Sequence, residues 1–201
     1  MFFFAAFILC GVAFAAAPAR SQESVYTLDP AQTTIEFTLG ATLHSVHGTF
    51  RLKSGEIRFD PKTGAASGAI IADAVSGTTG IDARDSKMHA QVLESRKYPE
   101  IIFLPQQVRG AISAMQISQV EVDGIFRMHG QDHPFRMMLS AGPPAGGRLA
   151  TSGQFVIPYT QWGMKNPSNF FLHVENDVNV EIHAEGRLSA AAASPPEAPQ
   201  K

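Results

Sequence analysis

The chain has 201 residues, 44% of them hydrophobic, and a formal net charge of −2. That length and composition suit one domain with a sizeable core. No run of basic residues supplies the footprint of a nucleic-acid binder or a polybasic patch for anionic lipid, so those partner classes are set aside.

Phe2 to Phe14 form an apolar run too short for a membrane span, which needs roughly 20 residues. Ala15, Ala16 and Ala17 then offer small residues for cleavage, although no Lys or Arg precedes the run. The pattern predicts a secretory signal peptide over residues 1–20. After cleavage no stable transmembrane span is expected, and the mature protein is expected in the periplasm or outside the cell. The single cysteine, Cys10, falls inside the signal, so the mature fold is expected to stand without a disulfide. Export permits disulfides and does not require them.

From Val25 to Leu188 the dominant signal is period two. In "TTIEFTLG", Ile35, Phe37 and Leu39 share one face, while Thr34, Glu36 and Thr38 share the other. Such alternation marks a half-buried strand. "GEIRFDPKTG" repeats it with Ile57 and Phe59 and stops at a turn cluster, Asp60-Pro61 and Gly64. "ASGAIIADA" is the next strand candidate.

"GIDARDSKMHAQVLESRKYPEIIF" breaks the pattern. Met88, Val92 and Leu93 make an apolar helix stripe. Asp82 and Asp85 suit the first turn of a helix, and Arg96 and Lys97 the last, where each complements the helix dipole. Pro99 ends it. The spacing predicts one amphipathic helix over about residues 82–97 that crosses or lids a barrel.

Strands resume with "EIIFL" (Ile101 and Phe103) and "SQVEVDGIFRMHG" (Val120, Val122, Phe126 and Met128). Gly124, between those pairs, is expected to mark a bulge. "HPFRMMLSA" gives Phe135, Met137 and Leu139, and "ATSGQFVIPY" gives Phe155 and Ile157. "NDVNVEIHAEG" sets Val178, Val180 and Ile182 against Asp177, Asn179, Glu181 and His183. Short alternating strands with turn residues between them predict a mainly β fold, an antiparallel barrel of about eight strands. The barrel domain is expected over residues 24–188, and the Ala/Pro-rich residues 189–201 as a disordered tail.

Catalytic patterns are thin. The mature chain has no cysteine, no G-x-S-x-G elbow and no phosphate-binding loop. His44 and His47, His129 and His133, and the single His173 and His183 raise the question of a metal. Zinc needs three or four converging ligands, and neither histidine pair sits in a helical pattern. No metal or cofactor is expected, and the chain is not expected to be an enzyme. A metal-dependent enzyme using these histidines is the alternative reading, and a ligand-free structural or stress-response module is another. Periodicity cannot separate a packed barrel from a hollow one. Phe and Met at the inner positions suit a flexible hydrocarbon.

Several stretches together resemble the YceI-like family of polyisoprenoid-binding, lipocalin-like barrels. "YTLDPAQTTIEFTLG" looks like its opening strand and "GEIRFDP" like its next hairpin. "RDSKMHAQVLESRKYPEIIF" is similar to its helix, although Lys87-Met88 stands where the family commonly has His-Leu. "GIFRMHGQDHPFRMML" resembles its late hairpin, and "FVIPYTQWGM" its penultimate strand and following turn. The resemblance implies an exported barrel whose lumen takes an apolar small molecule such as an isoprenoid, a quinone or a fatty-acid-like chain. The residues expected to contact it are Ile35, Phe37, Leu39, Phe50, Ile57, Phe59, Met88, Val92, Phe103, Phe126, Met128, Phe135, Met137, Phe155 and Trp162. Arg84, Lys87 and His89 are candidates to hold a polar head at the mouth.

Overall fold

The structure, a computed structural model, describes residues 23–42, 44–170 and 172–190. Three strands come first: β1 (Ser24–Ala41), β2 (Val46–Phe59) and β3 (Ala66–Thr78). A short helix, α1 (Asp82–Lys87), follows and widens into a π-helical turn (Met88–Val92). Five strands complete the chain: β4 (Glu100–Arg109), β5 (Ser118–Met128), β6 (Gln131–Ala141), β7 (Arg148–Ile157) and β8 (Val174–Ala190). They form one closed antiparallel barrel in sequence order, with β8 returning to β1. The closing ladder runs from Ser24 opposite Ala190 to Ala41 opposite Val174. Closure gives every strand a partner on each side.

The predicted signal peptide and most of the predicted tail lie outside the described residues. Ser189 and Ala190 belong to β8, opposite Val25 and Ser24. No helix among the described residues is long and apolar enough to cross a membrane.

The inner face follows the alternation read from the sequence. On β5, Val120, Val122, Gly124 and Phe126 are buried and their neighbours are not. The inward parity therefore runs through Gly124 unbroken, so β5 itself is not bulged, although the irregularity of its ladder with β4 lies directly opposite Gly124. The irregularity sits on β4, between Pro105 and Gln107. Gly124 is needed for another reason: a Cβ there would lie 2.4 Å from the Leu104 carbonyl oxygen and 2.7 Å from the Phe103 ring. β2 shifts register against β3 between Leu52 and Ser54. Ile57 and Phe59 lie beyond that shift, opposite Gly68 and Ala66, at the end of the barrel away from the helix.

That far end is packed. Tyr26, Leu28, Leu52, Val120, Ala141, Leu149 and Ala184 form a buried cluster across it. The Tyr26 hydroxyl donates to the Leu149 carbonyl at 3.1 Å, which satisfies a buried polar group.

Two ladders are short, and each opening is filled. β3 pairs with β4 only over Ile70–Asp73 and Glu100–Phe103. Beyond it the helix and its following turn close the wall, and the Ala74 amide donates to the Pro99 carbonyl at 3.0 Å. β6 pairs with β7 only over Leu139–Ala141 and Thr151–Gly153. The segment after β7 supplies Trp162, which stacks on His133 at 4.2 Å and lies 5.9 Å from Phe135.

The helix is shorter than the sequence pattern predicts. The Leu93 amide bonds back five residues to Met88, and the Ser95 amide reaches His89. Glu94 takes a left-handed φ of 46° and ends the coil. Leu93 and Ser95 are both buried, so the chain turns early to seat them. Arg96 and Lys97 consequently stand in the turn and not on a last helical turn.

Gly124→Ala is expected to lower stability by about 1–3 kcal/mol, because the added methyl forces β4 or the Phe103 ring to move. A urea melt checks this, and an unchanged midpoint would contradict the close approach.

Candidate ligand cavity

Above the packed end, the barrel is hollow. A cavity of about 310 Å³ lies between the inner strand faces, α1 and the segment that joins β7 to β8. Its walls are almost entirely apolar. β1 contributes Ile35, Phe37 and Leu39, β2 contributes Phe50, and β4 contributes Phe103. β5 and β6 add Phe126, Met128 and Met137, and β7 adds Phe155. Met88 and Val92 reach in from the π-helical turn.

Four of the sequence-expected positions stand off the cavity wall. Ile57 and Phe59 lie past the β2 register shift described above. Phe135 and Trp162 sit behind the wall. Phe135 packs edge-on against Phe126 and Phe155 at 5.5 Å each, and Trp162 lies 5.5 Å from Phe126. These two rings back the lining and close the gap between β6 and β7.

Other lining residues were not on the sequence-based set. Val178, Val180 and Ile182 of β8 line the cavity, and the alternation of that strand already marked their face. Tyr159, Met164, Pro167 and Leu172 come from the segment between β7 and β8. No periodicity flags them, because their inward direction is set by turns such as the one at Gly163, with φ 84°.

The polar groups at the helix end are well organised. Asp85 accepts from the Thr78 hydroxyl at 2.8 Å, from the Thr79 amide at 2.9 Å and from the Thr79 hydroxyl. Burial pushes the Asp85 carboxyl up, but those hydrogen bonds and nearby Arg84 outweigh it and hold the pKa below the usual range. This carboxylate fastens the start of α1 to the end of β3.

His89 is used at both nitrogens. Its Nε2 lies 2.9 Å from the Gly77 carbonyl, and its Nδ1 lies 2.9 Å from the Ser95 hydroxyl. The carbonyl only accepts, so Nε2 carries the proton. His89 therefore pins the turn to β3 and does not line the cavity. Gly77 is bare for the same docking: a Cβ there would meet the Phe50 ring at 2.5 Å and Met88 Cε at 3.2 Å. Arg84 and Lys87 do line the cavity, together with His44, Thr79 and Tyr159. Burial pushes the Tyr159 phenol up to about 12, so it stays neutral and donates to the Glu175 carbonyl at 2.7 Å.

The histidines do not converge. His129 pairs with Glu94 at 3.1 Å, His133 stacks on Trp162, and His47 meets the Thr38 hydroxyl at 3.0 Å. His183 pairs with Glu181 at 2.8 Å. Among the described residues, no group of three or more His, Cys, Asp or Glu side chains is placed to hold a metal ion.

A closed eight-stranded barrel with a hollow apolar lumen under a short helix defines a lipocalin-like architecture. The YceI-like domain matches residues 26–186, and the chain belongs to that family. Among solved structures it is similar to a polyisoprenoid binding domain from Saccharophagus degradans, described as implicated in plant cell wall breakdown. That likeness has a TM-score of 0.64 at 18% identity, covering 81% of this chain and 97% of that one. BcnA of Burkholderia cenocepacia gives a TM-score of 0.64 at 14% identity, covering 79% of this chain and 98% of the other. The YceI protein of Campylobacter jejuni gives 0.59 at 18% identity, covering 73% and 86%. Comparison with curated proteins finds no match.

The stacked His133 generates a pH prediction. Burial holds its pKa below the ordinary value of 6.5, and Asp132 only partly offsets this. The unfolded chain therefore takes up the proton first as pH falls. The stabilisation is complete above about 6.5 and declines as pH drops towards the folded value. Urea melts at about pH 7.5 and about pH 5.5 are expected to show a loss that is smaller in His133→Phe, which keeps a ring on Trp162. An equal loss in both proteins would contradict the assignment.

Proposed function

We propose that this chain is an exported carrier or sequestering protein that holds one long apolar molecule in the barrel lumen. The observation that carries the reading is the hollow itself, walled by Phe, Met and aliphatic side chains from all eight strands and from the π-helical turn. A filled barrel would place side chains there instead. Membership of the YceI-like family supports the reading, as does the likeness to a barrel described as polyisoprenoid binding.

The ligand class is an isoprenoid, a quinone or a fatty-acid-like chain. Binding is physical: apolar surface leaves water at roughly 25 cal/mol per Å² buried. No reaction is assigned, since the polar groups at the helix end serve to dock the helix or to meet a head group. Export rests on the apolar run and small-residue site at residues 1–20, and it places the mature protein in the periplasm or outside the cell.

Organic extraction of the purified protein followed by mass spectrometry is expected to release a stoichiometric apolar amphiphile. Protein that arrives empty is expected to take up an isoprenoid quinone or palmitate from solution. A protein that releases nothing and takes up neither would overturn the carrier reading.

A further inference from the structure

The cavity wall includes two cationic side chains, Arg84 and Lys87, and no Asp or Glu among the described residues. α1 places them three residues apart, on one side of the helix. Arg84 is fixed by two anchors: Nε donates to the Thr79 hydroxyl at 2.7 Å, and Nη2 donates to the Thr79 carbonyl at 2.9 Å. Its Nη1 has no hydrogen-bond partner among the described residues. Lys87 Nζ donates to the Pro167 carbonyl at 2.9 Å, which leaves two of its three donors.

On the outer surface, Lys53, Arg58, Arg109, Arg127, Arg136 and Arg148 each pair with a carboxylate, whereas Arg84 and Lys87, like exposed Lys62, Arg96, Lys97, Lys165 and Arg187, form no salt bridge among the described residues. The nearest acid to Arg84, Asp85, has its oxygens engaged by Thr78 and Thr79. Arg84 and Lys87 thus face an apolar wall with donors to spare and no carboxylate bonded to either among the described residues. An anionic ligand head placed there gains charge-assisted hydrogen bonds from those spare donors, roughly twice as strong as neutral ones.

We propose that the lumen takes amphiphiles with an anionic head, a carboxylate or a phosphate, seated between Arg84 and Lys87 with the chain running down the barrel. This inference rests on the carrier reading and narrows its ligand class, since it disfavours neutral heads such as a quinone or an alcohol.

The test uses two pairs matched in chain and differing in head: palmitate against hexadecanol, and farnesyl phosphate against farnesol. Each is titrated into delipidated full-length protein at mildly alkaline pH by displacement of an apolar fluorescent probe. Each anion is expected to bind at least about tenfold tighter than its neutral partner, a factor worth about 1.4 kcal/mol. Lys87→Met is expected to cut that preference, Lys87→Arg to retain it, and added salt to weaken it. The phosphate and carboxylate pairs show which head the site favours. Equal binding of anion and alcohol, or a preference unchanged in Lys87→Met and in the Arg84→Met/Lys87→Met double variant, would overturn this inference while leaving the carrier reading intact. Failure of all four ligands to bind would overturn both.

Discussion

The β1–β8 ladder is the constraint on which the rest depends. It joins the two longest strands along nearly their whole length, from Ser24–Ala190 to Ala41–Val174. Without it the sheet would be open, and the alternating inner faces would need another layer to cover them. With it the inner faces cover one another, and the fold needs no second sheet. The long ladder also tolerates its own irregularity between Leu28 and Thr33, where Asp29 accepts from the Ala31 amide at 3.0 Å and its carbonyl from the Thr33 hydroxyl at 2.8 Å.

Closure alone does not make a hollow. The barrel is filled at one end by Tyr26, Leu28, Leu52 and their neighbours, and it is wedged at the other by the helix. The helix is held off the lumen floor by polar fastenings at its two ends, Asp85 to Thr78 and Thr79, and His89 to Gly77 and Ser95. The short β3–β4 and β6–β7 ladders give the wall two places where non-strand segments enter. Those segments, around Met88 and around Trp162, turn a packed barrel into a lined pocket.

Much of this was legible in the sequence, and what was not has physical reasons. Alternation in "TTIEFTLG" and "NDVNVEIHAEG" placed Phe37 and Val180 on inner faces, because a closed sheet buries one side of each strand. Alternation gave the face of Ile57 and Phe59 but not their height, since period two does not say how far along the barrel a residue lies, and both stand at the end away from the helix. The helix pattern was real but overlong: end charges at Arg96 and Lys97 mimic a last turn, while burial of Leu93 and Ser95 ends the coil earlier. Tyr159, Met164 and Leu172 reach the lumen through turns that carry no period. His89 looked like a head-group candidate because its partners, a backbone carbonyl and a serine six residues on, are set by tertiary docking.

The central claim is that the lumen is open space able to take a chain. Titration of an apolar fluorescent probe into the protein and into Ala72→Phe, which fills the cavity wall from β3, tests it most directly. The account predicts saturable binding of one probe per chain, lost in a variant whose far-UV circular dichroism is unchanged. Equal binding by both proteins, or none by the unaltered chain, would contradict it.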